Sequence, residues 1–389
     1  GVRFATVRKL EKQKQVAVFI SLLVSSGLLT ALAQPLQAQQ ASSNFAIQES
    51  STLSSTNRNN PQDLLRQLLR EGRKLANSGN VLGAISLYQR AAAIDSSNPR
   101  IFSGIGYLYA SQGNYQEAFK AYQQAIALDP NNAEFHYALG YSLANMGQHS
   151  EAMSAYRRAT LFNPRHMNAN LGIGVLLARQ GRYEDALNIY RKVSAFAPRS
   201  FKPYELQGTA LIQLQRPRDA FAPLQQAARI APKEGIVRAH IGAAWLQLNE
   251  YQKAMASFSK GVELEPRNPL IPLQMGKALQ AAGYKEDALK AFQRAIALKS
   301  DTADAYAGMG DIYAGQKNYA SALAAYRQYL TYQPNDADVQ FKIGSALKEM
   351  GRKQDALTYF EKAKSSFKQE YGNGDRIREI DRLIKEIKK

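Results

Sequence analysis

The chain has 389 residues, with 50 Lys+Arg against 32 Asp+Glu for a formal net charge of +18, and 45% of its residues are hydrophobic. That apolar fraction excludes wholesale disorder. The absence of cysteine excludes disulfides, thiolate catalysis, zinc ribbons and iron–sulfur clusters together, and four histidines (His136, His149, His166, His240) are too few for a histidine-rich metal site.

In chain order, the first 38 residues carry Arg3, Arg8, Lys9, Lys12 and Lys14 against Glu11 alone, and without them the balance is still 45 against 31, or +14. The basic stretch precedes an apolar run that begins at Val16 and ends at Ala33, with small-residue cleavage options at Ala31-Leu32-Ala33 and Leu36-Gln37-Ala38. Basic, apolar, then small is the order of a secretory signal. The 18-residue run is also long enough for an uncleaved single-span anchor. Residues 1–38 are therefore predicted to be a signal peptide or a membrane anchor. They would export the protein to a periplasm, lumen or exterior, or tether it to the membrane through residues 16–33. Residues 39–61, rich in Ser, Gln and Asn, bury too little apolar surface to offset the entropy of ordering, and are predicted to be a flexible linker.

From there a 34-residue period takes over. Gly72, Gly106, Gly140, Gly174, Gly208, Gly242, Gly276, Gly310 and Gly344 share one register. Ala84, Ala118, Ala152, Ala186, Ala220, Ala254, Ala288, Ala322 and Ala356 follow them by twelve residues. Four residues further on stand Tyr88, Tyr122, Tyr156, Tyr190, Leu224, Phe258, Phe292, Tyr326 and Phe360. Six units close with a proline (Pro130, Pro164, Pro198, Pro232, Pro266, Pro334); Ser96, Ser300 and Lys368 take its place in the others. Within each unit, apolar residues recur at helical spacing in two blocks separated by a break such as Met146-Gly147-Gln148, which reads as helix–turn–helix. The small glycine and alanine are expected to let the two helices approach closely. The ring lies one turn beyond the alanine on the same face, and the proline stops the second helix. No unit can bury its apolar face alone, so neighbours must stack. The predicted fold is all-α: an α-solenoid of nine 34-residue helix–turn–helix repeats over residues 62–370, closed by a C-terminal capping helix in 371–389. In that last helix Asp375 is the expected N-cap, and Ile377, Ile380, Ile384 and Ile387 form one stripe. Pro223 is expected to kink the second helix of the fifth unit, by removing one backbone donor. Trp245 falls at the position of Tyr109 and Tyr313, which reads as core.

These small residues, rings and prolines, in register over nine units, resemble the tetratricopeptide repeat family, in the form found in exported bacterial proteins, cyanobacterial ones among them. The resemblance implies a right-handed superhelix whose inner groove is lined by first helices, with positions 2, 5, 9, 12 and 13 of each unit pointing inward. On this chain those positions supply Arg100, Tyr107, Tyr137, Tyr141, Asn145, Asn168 and Arg179 in units two to four. Lys202, Ile236, Leu270, Leu273 and Lys277 follow in units five to seven. The tyrosines suit an extended peptide, because a flat apolar face carries a hydrogen-bonding tip. The apolar stretch from Ile236 to Leu273 suits an amphipathic helix. The lysine–asparagine pair that clamps a terminal carboxylate in some relatives is absent at positions 5 and 9, and no asparagine ladder or transferase domain is present.

No HExxH, GxxxxGK[ST], GxSxG or CxxC motif occurs. Gly104-Ile105-Gly106 and Gly172-Ile173-Gly174 lack the third glycine and preceding strand of a dinucleotide loop. The expected function is non-enzymatic: a scaffold for protein–protein interaction, holding a peptide or helical segment in its groove, with no cofactor and no metal. A second reading is an assembly or maturation factor for a membrane or envelope complex. A third, from the net charge, is a basic binder of nucleic acid or anionic polymer. Nucleic acid is the less expected partner, because many of the 21 tyrosines recur at core positions instead of forming stacking platforms. Self-association into a homo-oligomer is compatible with repeat surfaces of this kind.

Overall fold

The computed structural model describes residues 60–371 and 374–389, and among them every regular element is a helix. The expected leader, and the linker up to residue 59, lie outside the described residues. Nine hairpins follow one another: α1 (Pro61–Asn77) with α2 (Val81–Ile94), α3 (Pro99–Ser111) with α4 (Tyr115–Leu128), α5 (Ala133–Asn145) with α6 (His149–Phe162), α7 (Met167–Arg179) with α8 (Tyr183–Phe196) and α9 (Lys202–Gln213) with α10 (Pro217–Ile230). The series continues with α11 (Gly235–Gln247) and α12 (Tyr251–Leu264), α13 (Leu270–Ala282) and α14 (Lys285–Leu298), α15 (Ala303–Gly315) and α16 (Tyr319–Tyr332), and α17 (Ala337–Glu349) and α18 (Lys353–Tyr371); α19 (Asp375–Lys388) ends the chain. The hairpins form two compact units whose boundary falls within α9, at Leu206 and Gln207. Inside each unit successive hairpins stack, so both are built as α-solenoids.

Each turn inside a hairpin passes through one left-handed residue, again at a spacing of 34. Gly147 (φ +78°) and Gly181 (φ +77°) hold it in repeats three and four, and Gln215, Asn249 and Lys317 adopt the same conformation with a side chain attached. The reason for the 34-residue glycine of the first helix is equally local. A Cβ on Gly140 would stand 2.7 Å from the Tyr156 ring, one on Gly174 2.3 Å from Tyr190, and one on Gly242 2.8 Å from Phe258. The missing side chain makes room for the ring of the second helix in the same hairpin, which is a more specific role than the general helix approach expected from the spacing. All nine alanines of the second helix are buried, as are all nine large residues that follow them.

The terminating proline is not required everywhere. α2 and α14 stop at their usual length although Ser96 and Ser300 replace it. In the first of these turns the Ser97 amide donates to the Asp95 carboxylate, a local bond that competes with helix continuation. Where Lys368 replaces it, α18 runs on to 19 residues, against 14 in α16. α10 continues through Pro223 from Pro217 to Ile230 without interruption.

α19 lays Ile377, Ile380, Ile384 and Ile387 into a cluster with Val339, Ile343, Leu347, Phe360 and Phe367 of the last hairpin. It thus covers the apolar face that a further repeat would otherwise bury. Its N-cap is Gly374, with Asp375 as the first helical residue and no side-chain capping bond, so the expected Asp375 cap is one position off. Trp245 takes the place its register predicts, beside the core and half-buried like Tyr109 and Tyr313. It has Phe221 at 4.4 Å and the Lys253 ammonium 4.7 Å over its ring.

Candidate functional site

In the N-terminal unit, the first helices of repeats two and three assemble a tyrosine surface. Tyr107 on α3 is half-buried against the core. Tyr141 on α5 is half-buried and meets Tyr115, the first residue of α4, edge to face at 6.1 Å. The Asn145 side-chain amide donates to the Tyr141 carbonyl at 2.8 Å, which fixes the last turn of α5. Burial raises the Tyr141 phenol above its ordinary value, with Tyr115 adding to the rise. Its hydroxyl is therefore a neutral donor and acceptor at physiological pH. Tyr137 is different. It is buried, where accessibility was expected, stacked on Tyr156 at 5.9 Å and tilted against His166 at 4.9 Å; like Tyr107 and Tyr141, it lies near enough to the buried Tyr122 phenol to raise its pKa.

The histidines of the unit are structural. His166 caps α7: the Ala169 amide donates to its Nδ1 at 3.1 Å, so the ring proton lies on Nε2, 3.2 Å from the Glu134 carboxylate. The contact with His166 lowers the Glu134 pKa. His136 Nε2 lies 2.7 Å from the Pro130 carbonyl, and its ring stacks on Phe162. His149 is held neutral, its pKa pushed down to about 4 by burial first and by the Arg179 charge second.

The remaining expected residues spread over both units. Arg100 and Arg179 are exposed at opposite ends of their helices, and Asn168 is half-buried in the first turn of α7. Lys202 is bound at 2.8 Å to the buried Glu205 carboxylate. In the C-terminal unit Ile236 and Leu270 are half-buried against the core, while Leu273 lies inside it. Lys277 is bound at 2.6 Å to Asp304, and both are mostly buried. Lys202 and Lys277 thus serve as internal ion-pair partners, and neither is a free charge at a groove margin. The register explains the pattern. Position 5 is covered by neighbouring helices from repeat three to repeat seven (Tyr137, Leu171, Glu205, Ala239, Leu273), whereas position 9 stays half-open at Tyr107, Tyr141 and Ala243.

One polar network was not anticipated. Asp311 accepts from the Tyr326 hydroxyl at 2.7 Å and from Lys342 at 2.9 Å, tying three successive helices of the C-terminal unit together. Among the described residues no group of three His, Asp or Glu is arranged to hold a metal ion, and no helix is long and apolar enough to cross a membrane. Residues 16–33 lie outside the described residues.

Stacked helix hairpins with a 34-residue ring-and-glycine register, and side chains presented from the first helices, define a repeat protein of the helix-hairpin class. Tetratricopeptide repeat models match residues 72–113, 106–147, 137–200, 206–269 and 303–369. The chain belongs to the tetratricopeptide repeat family. A tetratricopeptide repeat protein from Parabacteroides merdae is similar over 64% of this chain and 99% of its own, at 16% identity and a TM-score of 0.56, and shows the same fold. Yeast Tom70 aligns over 85% of this chain and 96% of its own, at 11% identity and a TM-score of 0.47. MamA from Desulfovibrio magneticus aligns over 43% and 95%, at 24% identity and a TM-score of 0.40. No curated protein matches the chain.

Proposed function

We propose that the chain is a non-enzymatic scaffold that captures an extended protein segment on the tyrosine surface of repeats two and three, and that residues 16–33 export it or tether it to a membrane. The observation that carries this reading is the half-open pair Tyr107 and Tyr141, both near the buried Tyr122 phenol, with Tyr115 edge to face against Tyr141. Rings held this way lose little side-chain entropy on binding, bury apolar area and offer hydroxyl tips to a peptide backbone. The family's repeats support an interaction role. The buried ion pair at Lys277 disfavours the apolar stretch of the C-terminal unit as an equal site, because opening it would leave a desolvated charge.

A photo-reactive phenylalanine analogue placed at position 141 tests the reading. It is expected to give a protein adduct in the native source, whereas the same residue at the exposed Leu82 gives none. Adducts at 82 and none at 141 would move the site away from the tyrosines. Sequencing the mature N-terminus separates export from tethering: a start near Gln34 or Gln39 means cleavage, and intact residues 16–33 mean a tether.

A further inference from the structure

The positive charge of this protein has a focus that is built across the repeat register and not as a basic run along the chain. In residues 152–204 nine Lys or Arg stand against two acids, Glu184 and Asp185. The two acids lie in the first turn of α8, where Arg182 binds Asp185. The basic residues recur 34 apart: Arg157 with Arg191, Arg158 with Lys192, and Arg165 with Arg199. All six are exposed. Arg157, Arg158, Arg191, Lys192 and Arg199 make no ion pair among the described residues, in contrast to Arg66, Lys120, Arg182, Arg216, Lys260 and Arg352, which each bind a carboxylate three residues away. α6 and α8, which carry four of these charges, both pack on α7, so equivalent residues fall on neighbouring hairpins of one unit.

An apolar tip stands among these charges. Leu161 is 73% exposed. It lies four residues from Arg157 and three from Arg158, and therefore on the same helix face. Phe162 beside it is also exposed. We infer that this face, the C-terminal halves of α6 and α8 with the Arg165 and Arg199 loops, is a docking surface for an anionic lipid membrane. Unpaired basic side chains meet the negative headgroups, their stems lying along the apolar boundary, while Leu161 enters it. Nucleic acid fits less well. It needs free aromatic faces for stacking, but Phe162 is stacked on His136 and Phe196 lies beneath the Arg165 guanidinium at 5.8 Å. An acidic protein segment would meet the charges but would leave Leu161 without a role. The surface is separate from the tyrosine site, so either can fail without the other.

The test is vesicle flotation of the full-length chain, comparing phosphatidylserine-rich vesicles with pure phosphatidylcholine vesicles. Any insertion by residues 16–33, and any attraction by the basic residues before them, is common to every variant. The readout is the ratio of the two partition coefficients. Substituting Arg157, Arg158, Arg191 and Lys192 together by Gln is expected to lower that ratio about tenfold or more, and added salt should lower the wild-type ratio steeply. Leu161→Ser is expected to weaken binding severalfold while leaving the salt dependence unchanged. An unchanged ratio in the quadruple variant would overturn the proposal, as would full retention of binding by Leu161→Ser. Tighter, salt-sensitive binding of a single-stranded oligonucleotide or of soluble polyglutamate than of the anionic vesicles would assign the surface to nucleic acid or to an acidic protein instead.

Discussion

Replacing Tyr156 by alanine is expected to destabilise the N-terminal unit by about 3–5 kcal/mol. The ring is almost wholly buried and is bounded on two sides by backbone. A Cβ on Gly140 of α5 would come within 2.7 Å of it, and so would a Cβ on Gly172 of α7. A third side is occupied by Tyr137 at 5.9 Å. A cavity walled by helical backbone cannot relax inward as one lined by flexible side chains can, which puts this site at the costly end of the range. The opposite change, Gly172→Val, inserts atoms where there is no room and should cost about 1–3 kcal/mol by overpacking. Amide hydrogen exchange is the suitable measurement, because hairpins in a repeat array couple mainly to their neighbours. Loss of protection is expected in residues 133–179 while residues 337–388 keep theirs. Protection retained in residues 133–179 would show that the ring does not hold α5 and α7 in place.

Ile380→Asp is expected to release α19 and turn the end of the array into a self-associating surface. Ile380 is completely buried among Val339, Ile343, Leu347, Phe360 and Phe367. An uncompensated charge in such a place costs about 3–5 kcal/mol, but the helix has a cheaper route, which is to undock. Its outer contacts would not hold it. The Arg376–Asp338 and Lys348–Glu386 pairs are surface bridges of small value, although the Arg376 guanidinium also stacks 4.6 Å over Phe341. With α19 gone, the apolar face of the last hairpin meets water, and large exposed apolar patches associate. Light scattering after size exclusion should show concentration-dependent growth in mass for Ile380→Asp and none for the exposed control Arg382→Asp. A variant that behaves like its parent would mean that α19 is an appendage and not a cap.

The fold was legible because its determinants are periodic. Spacing alone places Gly174 opposite Tyr190, and four isoleucines suffice to foresee which side of α19 is buried. What spacing could not show is how deeply a neighbouring hairpin covers each position. Tyr137 and Leu273 sit at the same register position as the half-open Ser103, yet they are buried, because coverage depends on the bulk of the flanking helices as well as on the residue itself. Asp375 missed the cap position by one residue because Gly374, in extended backbone, already fills it. Two features were within reach of the register but not of a linear scan. His166 stands 34 residues after Asn132 and 68 after Asn98, both of which also cap first helices with a side-chain acceptor, although from the amide two residues on where His166 uses the amide three residues on. The paired basic residues of α6 and α8 stand 34 apart, with other residues between them that dilute the local charge.

The central claim, that a protein segment is held on the Tyr107–Tyr141 surface and left chemically unaltered, is tested most directly by titrating the segment cross-linked at position 141, made as a synthetic peptide, into the purified chain. Calorimetry is expected to show saturable binding that falls at least about tenfold when Tyr107 and Tyr141 are both replaced by alanine, with helical content unchanged and the peptide recovered at its original mass. Equal affinity in the double variant, or a peptide recovered cleaved or modified, would contradict it.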